Sequence, residues 1–170
     1  MRSRANVTWF TTKVRYQKTM EDGSEKVVTE NYLVDALSFT EAESAITDEM
    51  SVYVSGEFQV SGIAKAAYNE VFFSDVDDDD KWYKAKLLFI TIDETEKEKR
   101  STVNYLVQAK SLARALRYVD EEMGKTMIDY DTVGLNETNL MDVFEHQAPN
   151  KEEKNDVPEY EQGNAEQPAE

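Results

Sequence analysis

At 170 residues, 40% hydrophobic and 32% charged, the chain can bury one core, or two small ones, beneath a very polar surface. A formal net charge of −16 repels nucleic acid at long range. The absence of cysteine removes disulfides, thiolate zinc sites and thiol nucleophiles, and no apolar run reaches the length of a membrane-spanning helix.

The opening residues Met1–Phe10 include Arg2 and Arg4 but no apolar run that would serve as a signal peptide, so a bacterial cytoplasm is the expected compartment. Residues 7–19 alternate. Phe10, Val14 and Tyr16 fall on one face, and Trp9, Lys13 and Arg15 on the other, the pattern of a strand with one face buried. Asp22-Gly23 supplies a hairpin turn, and residues 26–36 return as a second strand with Tyr32, Val34 and Ala36 on one face. Ser38 is placed to cap a helix, with Glu41 three residues on completing a capping box. Phe39, Ala42, Ile46, Met50 and Tyr53 form the apolar stripe of that helix. Two further strands are expected near 56–65 and 68–74.

The acidic run from Asp75 through Lys81 reads as a solvated linker. A calcium loop counted from Asp75 would need glycine at Asp80 and glutamate at Lys86, and has neither. Beyond it the pattern starts again. Strands are expected at 82–93 and 100–109, a helix near 112–123, and strands near 126–134 and 139–145. The hairpin here is the charged run from Glu96 to Arg100. Leu112, Ala115, Leu116, Val119 and Met123 make the second helix's apolar stripe.

The two halves superpose at an offset of 73. From Trp9 on Trp82 to Met50 on Met123 there is no gap, and 15 of 42 positions are identical, including Asn31-Tyr32-Leu33-Val34 on Asn104-Tyr105-Leu106-Val107. The register then slips by one, bringing Val71-Phe72 onto Val143-Phe144. The expected fold is α+β: two tandem duplicated β-β-α-β-β units (residues 1–74 and 82–146), about eight strands and two helices, related by a pseudo-twofold. One continuous curved sheet with both helices on the same face is the expected arrangement, since a helix with one apolar stripe needs a sheet beneath it. Residues 147–170 are acidic, with three prolines, the composition of a disordered tail.

Few residues suggest chemistry. His146, the single histidine, has no second histidine to share a metal, and reads as an edge residue closing the domain. No Gly-rich phosphate loop and no nucleophile elbow is present. No cofactor, metal or catalytic residue is therefore expected, and the chain reads as a binding protein. The leading surface is a duplicated Trp/basic strand face: Trp9, Lys13 and Arg15 in one copy, Trp82, Lys84 and Lys86 in the other. Exposed rings would stack on bases and the cations would neutralise phosphates. The opposed reading packs both tryptophans between sheets with lysine stems over them.

Several segments together resemble a known family. They are W-[FY]-x-x-K at both tryptophans, Lys13-Val14-Arg15-Tyr16, Asp35 through Glu43, Phe72-Phe73-Ser74-Asp75, Lys81 through Lys86, and Met141 through His146. They are similar to an uncharacterised domain of unknown function in Bacteroides-group bacteria and their phages, over about residues 5–146. The resemblance implies a small cytoplasmic protein in a phage or mobile-element setting and supplies no catalytic residues. Two partner classes follow. One is single-stranded nucleic acid, for an accessory factor of replication. The other is a host or phage replication or defence protein, engaged by an acidic module acting as a DNA mimic or inhibitor. No membrane partner is expected, and the oligomeric state is left open.

Overall fold

The structure is a computed structural model, and it describes residues 1–146. The tail expected over 147–170 lies outside the described residues. The order is β1 (Arg2–Ala5), β2 (Trp9–Thr19), β3 (Glu25–Asp35), α1 (Phe39–Tyr53), β4 (Phe58–Ala66), β5 (Glu70–Phe73), β6 (Lys81–Ile92), β7 (Glu98–Ala109), α2 (Leu112–Gly124), β8 (Asp129–Glu137) and β9 (Leu140–Phe144). The α+β class and both helices are as the patterning indicates, and each half runs strand–strand–helix–strand–strand.

Ser38 caps α1 as read, and Ser111 caps α2 in the same way. Glu41 N–H donates to Ser38 Oγ at 3.1 Å and Arg114 N–H to Ser111 Oγ at 3.2 Å. Glu41 reaches back one residue further than a standard box, accepting from the Leu37 N–H at 3.1 Å.

The single curved sheet is replaced by two sheets. One has the strand order β4-β2-β3-β9, the other β1-β5-β7-β6-β8. Helix α1 covers the first through Ala42, Ile46 and Met50 against Phe10, Val14 and Val34. Helix α2 covers the second through Val119 and Met123 against Ala85, Leu87 and Val107. The opposite faces of the two sheets meet through Trp9, Leu33, Val71, Trp82, Leu106 and Val143, so the helices lie on outer faces. The physical reason is that both faces of each sheet are apolar near the tryptophans, and one helix covers only one of them. Strand β1, four residues without apolar alternation, is a ninth strand beyond the eight expected.

The last strand of each half crosses to the other sheet. β5 runs parallel to β7, with Val71 opposite Leu106 and Phe72 opposite Val107. β9 runs parallel to β3, with Val143 opposite Leu33 and Phe144 opposite Val34. The repeated Val-Phe pair thus occupies matching positions in an exchanged pair of strands. The slip in register falls between helix and fourth strand, where α1 has 15 residues and α2 has 13.

The hairpins match in shape and differ in chemistry. Gly23 has φ 81° and Glu96, at the equivalent position, φ 61°. In the second hairpin Asp93 Oδ1 accepts from the N–H groups of Thr95 and Lys97, both at 2.9 Å. This sets the turn at 93–97, so Glu98-Lys99-Arg100 belongs to β7 and not to the hairpin turn expected from the charge run.

Candidate functional site

The strand β2 pattern places Trp9, Lys13 and Arg15 on one face, and β6 does the same for Trp82, Lys84 and Lys86, as alternation requires. The two rings are not platforms. Trp9 is 1% exposed and Trp82 2%, both within the core between the sheets. Phe73 meets the Trp82 ring edge-on at 5.5 Å, and the Arg4 guanidinium lies 6.0 Å from the Trp9 ring. The magnitudes explain this outcome. Burying a tryptophan removes roughly 150–250 Å² from water, about 4–6 kcal/mol at ~25 cal/mol per Å². A stacked base returns roughly 1–3 kcal/mol. The expected stacking role of Trp9 and Trp82 is therefore corrected to a packing role.

The cations of these strands have a different fate. Lys13, Arg15 and Lys86 are exposed and Lys84 is half-buried, and among the described residues none of the four is in an ion pair. Lys13 and Lys86 sit at matching bulges. Lys13 faces Gly62 and Lys86 faces Gly134, with the register shifting just after each lysine. A Cβ at Gly62 would stand 3.5 Å from Lys13 Cδ, and one at Gly134 3.5 Å from Lys86 Cβ. Gly62 thereby leaves room for the Lys13 stem to lie flat over it, whereas at Gly134 only the Lys86 Cβ comes that near.

The basic N-terminus is used internally. Arg2 Nη1 lies 2.6 Å from Glu145 Oε1, and Arg4 Nη1 lies 2.9 Å from Asp35 Oδ2. Arg2 also stacks over the Phe73 ring at 4.3 Å. His146 closes the domain through its backbone, its N–H donating to Asp35 Oδ1 at 2.5 Å, while its side chain is exposed. The second half has the neutral version: Ser74 N–H donates to Gln108 Oε1 at 2.9 Å.

The acidic run is only partly a solvated linker. Asp79 is buried. Ser74 Oγ and Tyr118 OH donate to its Oδ2 at 2.5 and 2.6 Å, the Lys110 N–H donates to its Oδ1 at 2.9 Å, and Arg114 Nη1 stands 3.6 Å away. Burial alone would raise this carboxyl; the hydrogen bonds and the arginine charge outweigh it and hold it below its ordinary value. A second polar cluster lies on the face of the first sheet that α1 covers. Glu30 accepts from Tyr16 OH, and from Tyr32 OH at 2.9 Å. Burial first, then the Glu30 carboxylate, pushes the Tyr16 hydroxyl up to about 12. Both clusters are saturated by their own partners. Among the described residues no group of three or more His, Asp or Glu side chains is arranged to hold a metal ion.

What the sequence reading missed is a groove. Its walls are Leu112 and Leu116 of α2 and Thr132–Leu135 of β8, and its volume is about 580 Å³. Leu112 is 50% exposed, Leu116 41% and Val133 49%. Both leucines lie on the stripe read as core; the signal that separates them is that their equivalents in the other half are Phe39, which packs edge-on against Phe10 at 5.0 Å, and the exposed Glu43.

Among the described residues no helix is long and apolar enough to cross a membrane. No curated protein and no solved structure matches the chain. Residues 8–146, from just before Trp9 to His146 with its contact to Asp35, match the family described as Domain of unknown function (DUF4494), and the chain belongs to that family.

Proposed function

We propose that this protein is a non-catalytic, acidic interaction module for a basic protein partner, acting in the cytoplasm in a phage or mobile-element setting. The observation that carries the reading is the apolar groove between α2 and β8, open to solvent on a chain of net charge −16. Half-exposed Leu112, Leu116 and Val133 give a partner apolar side chains to bury, and the charge favours a cationic partner and steers its approach. The setting follows from the family resemblance.

A second reading keeps the sequence expectation in reduced form. Among the described residues Lys13, Arg15, Lys84 and Lys86 are in no ion pair, and they suit contact with phosphates, without stacking, in single-stranded nucleic acid. One experiment separates the two. Immobilised full-length chain is offered a bacterial lysate and, separately, labelled oligonucleotides at low salt. The interaction reading expects stoichiometric retention of one basic protein that salt releases, and no oligonucleotide binding. Oligonucleotide binding that falls steeply with salt, with no protein retained, overturns it in favour of the second reading.

A further inference from the structure

Among the described residues, strand β8 ends its sheet and is paired on one side only, with β6. Its outer edge therefore offers unpaired backbone N–H and C=O groups. The bulge opposite Lys86 and Leu87 makes Val133 the extra residue and turns it outward, 49% exposed, beside Leu112 and Leu116. The matching bulge of the other half has Ser61, and the residue matching Leu116 is Glu43. The same fold thus stands with polar residues at these places in one half, so stability alone does not require apolar ones in the other.

The two faces of β8 differ. Tyr130 and Leu135 pack toward α2, while Asp129 and Asp131 point to the other side and are exposed. β8 contains three acids, Glu137 being the third, and no basic residue. Leu112 and Leu116 are one helical turn apart, about 6 Å, close to the roughly 6.6 Å between alternate residues of a strand.

We propose that the edge of β8 takes an extended segment of a partner protein as an added strand, alternating apolar side chains in the groove with basic side chains facing Asp129 and Asp131. This rests on the interaction reading above and specifies the ligand of that same groove. Backbone pairing supplies affinity and the alternate positions supply selectivity. The bulge disfavours pairing with a long flat strand, such as β8 of a second copy, and so favours a short partner segment.

The test is selection of displayed random peptides on the full chain, followed by anisotropy titration of a selected peptide. The selected sequences should alternate apolar residues with Lys or Arg. Leu116→Glu and Val133→Ser, which install the residues of the other half and so should fold, should each weaken binding roughly tenfold or more. N-methylating alternate peptide nitrogens should abolish binding in one parity and spare it in the other. Selection of helical-period peptides, or loss of binding in both parities, overturns strand addition while the interaction reading stands. Retention of a basic protein partner undiminished by Leu116→Glu shows the groove is not its site. If neither peptide nor protein binds, both readings fall.

Discussion

Asp35, at the end of β3, accepts a 2.5 Å hydrogen bond from the backbone N–H of His146, 111 residues further along the chain, and pairs with Arg4 on its other oxygen. One buried carboxylate thus joins the exchanged strand β9, the edge strand β1 and the first sheet. Asp35→Ala would leave the largely buried Arg4 without that partner, and breaking a buried pair from one side costs about 3–5 kcal/mol. Gln108→Ala removes the neutral counterpart to Ser74 and should cost about 1 kcal/mol. Urea unfolding of the full chain should show this several-fold difference; equal costs would mean that the ion pair adds nothing to the hydrogen bond.

The two hairpins provide a matched pair of backbone tests. Gly23 and Glu96 both lie at positive φ, where a side chain costs roughly 1–2 kcal/mol. Gly23→Ala should destabilise by about 1 kcal/mol. Glu96→Gly should stabilise by about 0.5–1 kcal/mol, the relief of strain exceeding glycine's extra chain entropy. Thermal midpoints moving in opposite directions check the pair.

Acid should weaken the protein through Asp79. Its folded-state carboxyl is held below the ordinary value despite burial, by Ser74, Tyr118, the Lys110 N–H and Arg114. A depressed group contributes stability that is fully present above its unfolded value, about 3.9, and is lost as pH falls through the folded one. Urea midpoints measured downward from pH 5 should fall in the wild type and fall less in Asp79→Asn. Identical acid slopes would show that Asp79 does not carry the effect.

Tyr16 acts at the other end of the scale. Burial and then Glu30 push its hydroxyl up to about 12. Its neutral form therefore contributes stability fully present below about pH 10, the unfolded value, and lost as pH rises through about 12. Absorbance titration of tyrosinate should show one fewer late-ionising group in Tyr16→Phe, and Glu30→Gln should bring Tyr16 down toward its ordinary value.

The tryptophans give the most direct optical check. Acrylamide should quench native fluorescence weakly, because Trp9 and Trp82 are almost wholly covered. Trp82→Ala should cost about 3–5 kcal/mol, whereas Lys13→Ala and Lys86→Ala should stay within about 0.5 kcal/mol of wild type. Strong native quenching would contradict the packing between the sheets.

The sequence reading succeeded where information is local. Period-two alternation assigned Trp9, Lys13 and Arg15 to one face correctly, and Ser38 announced the start of α1. It failed where the answer depends on a distant partner. Nothing near Val71-Phe72 says that this strand joins β7 and not its own half, because the local pattern is the same in either sheet. Alternation put Trp9 on the face away from α1, but the buried residues of the other sheet that cover that face, Val71, Trp82 and Leu106, lie more than 60 residues along the chain. Within the acidic run, composition treats Asp79 like its neighbours; only the placement of Ser74, Lys110 and Tyr118 buries it. Leu112 and Leu116 fit a helical stripe whether or not anything lies over them, so the groove was hidden in a pattern read as core.

The crossing of β5 and β9 bears on how the protein is made. Synthesis proceeds from the N-terminus, and the outer side of β3 is closed only by β9, the last strand described. A nascent chain therefore carries an open edge at Asn31–Val34 until nearly all of the described residues have left the ribosome. Neither half is a separable folding unit, and a chain ended anywhere before Phe144 is left with an incomplete first sheet, however intact its own β-β-α-β-β segment.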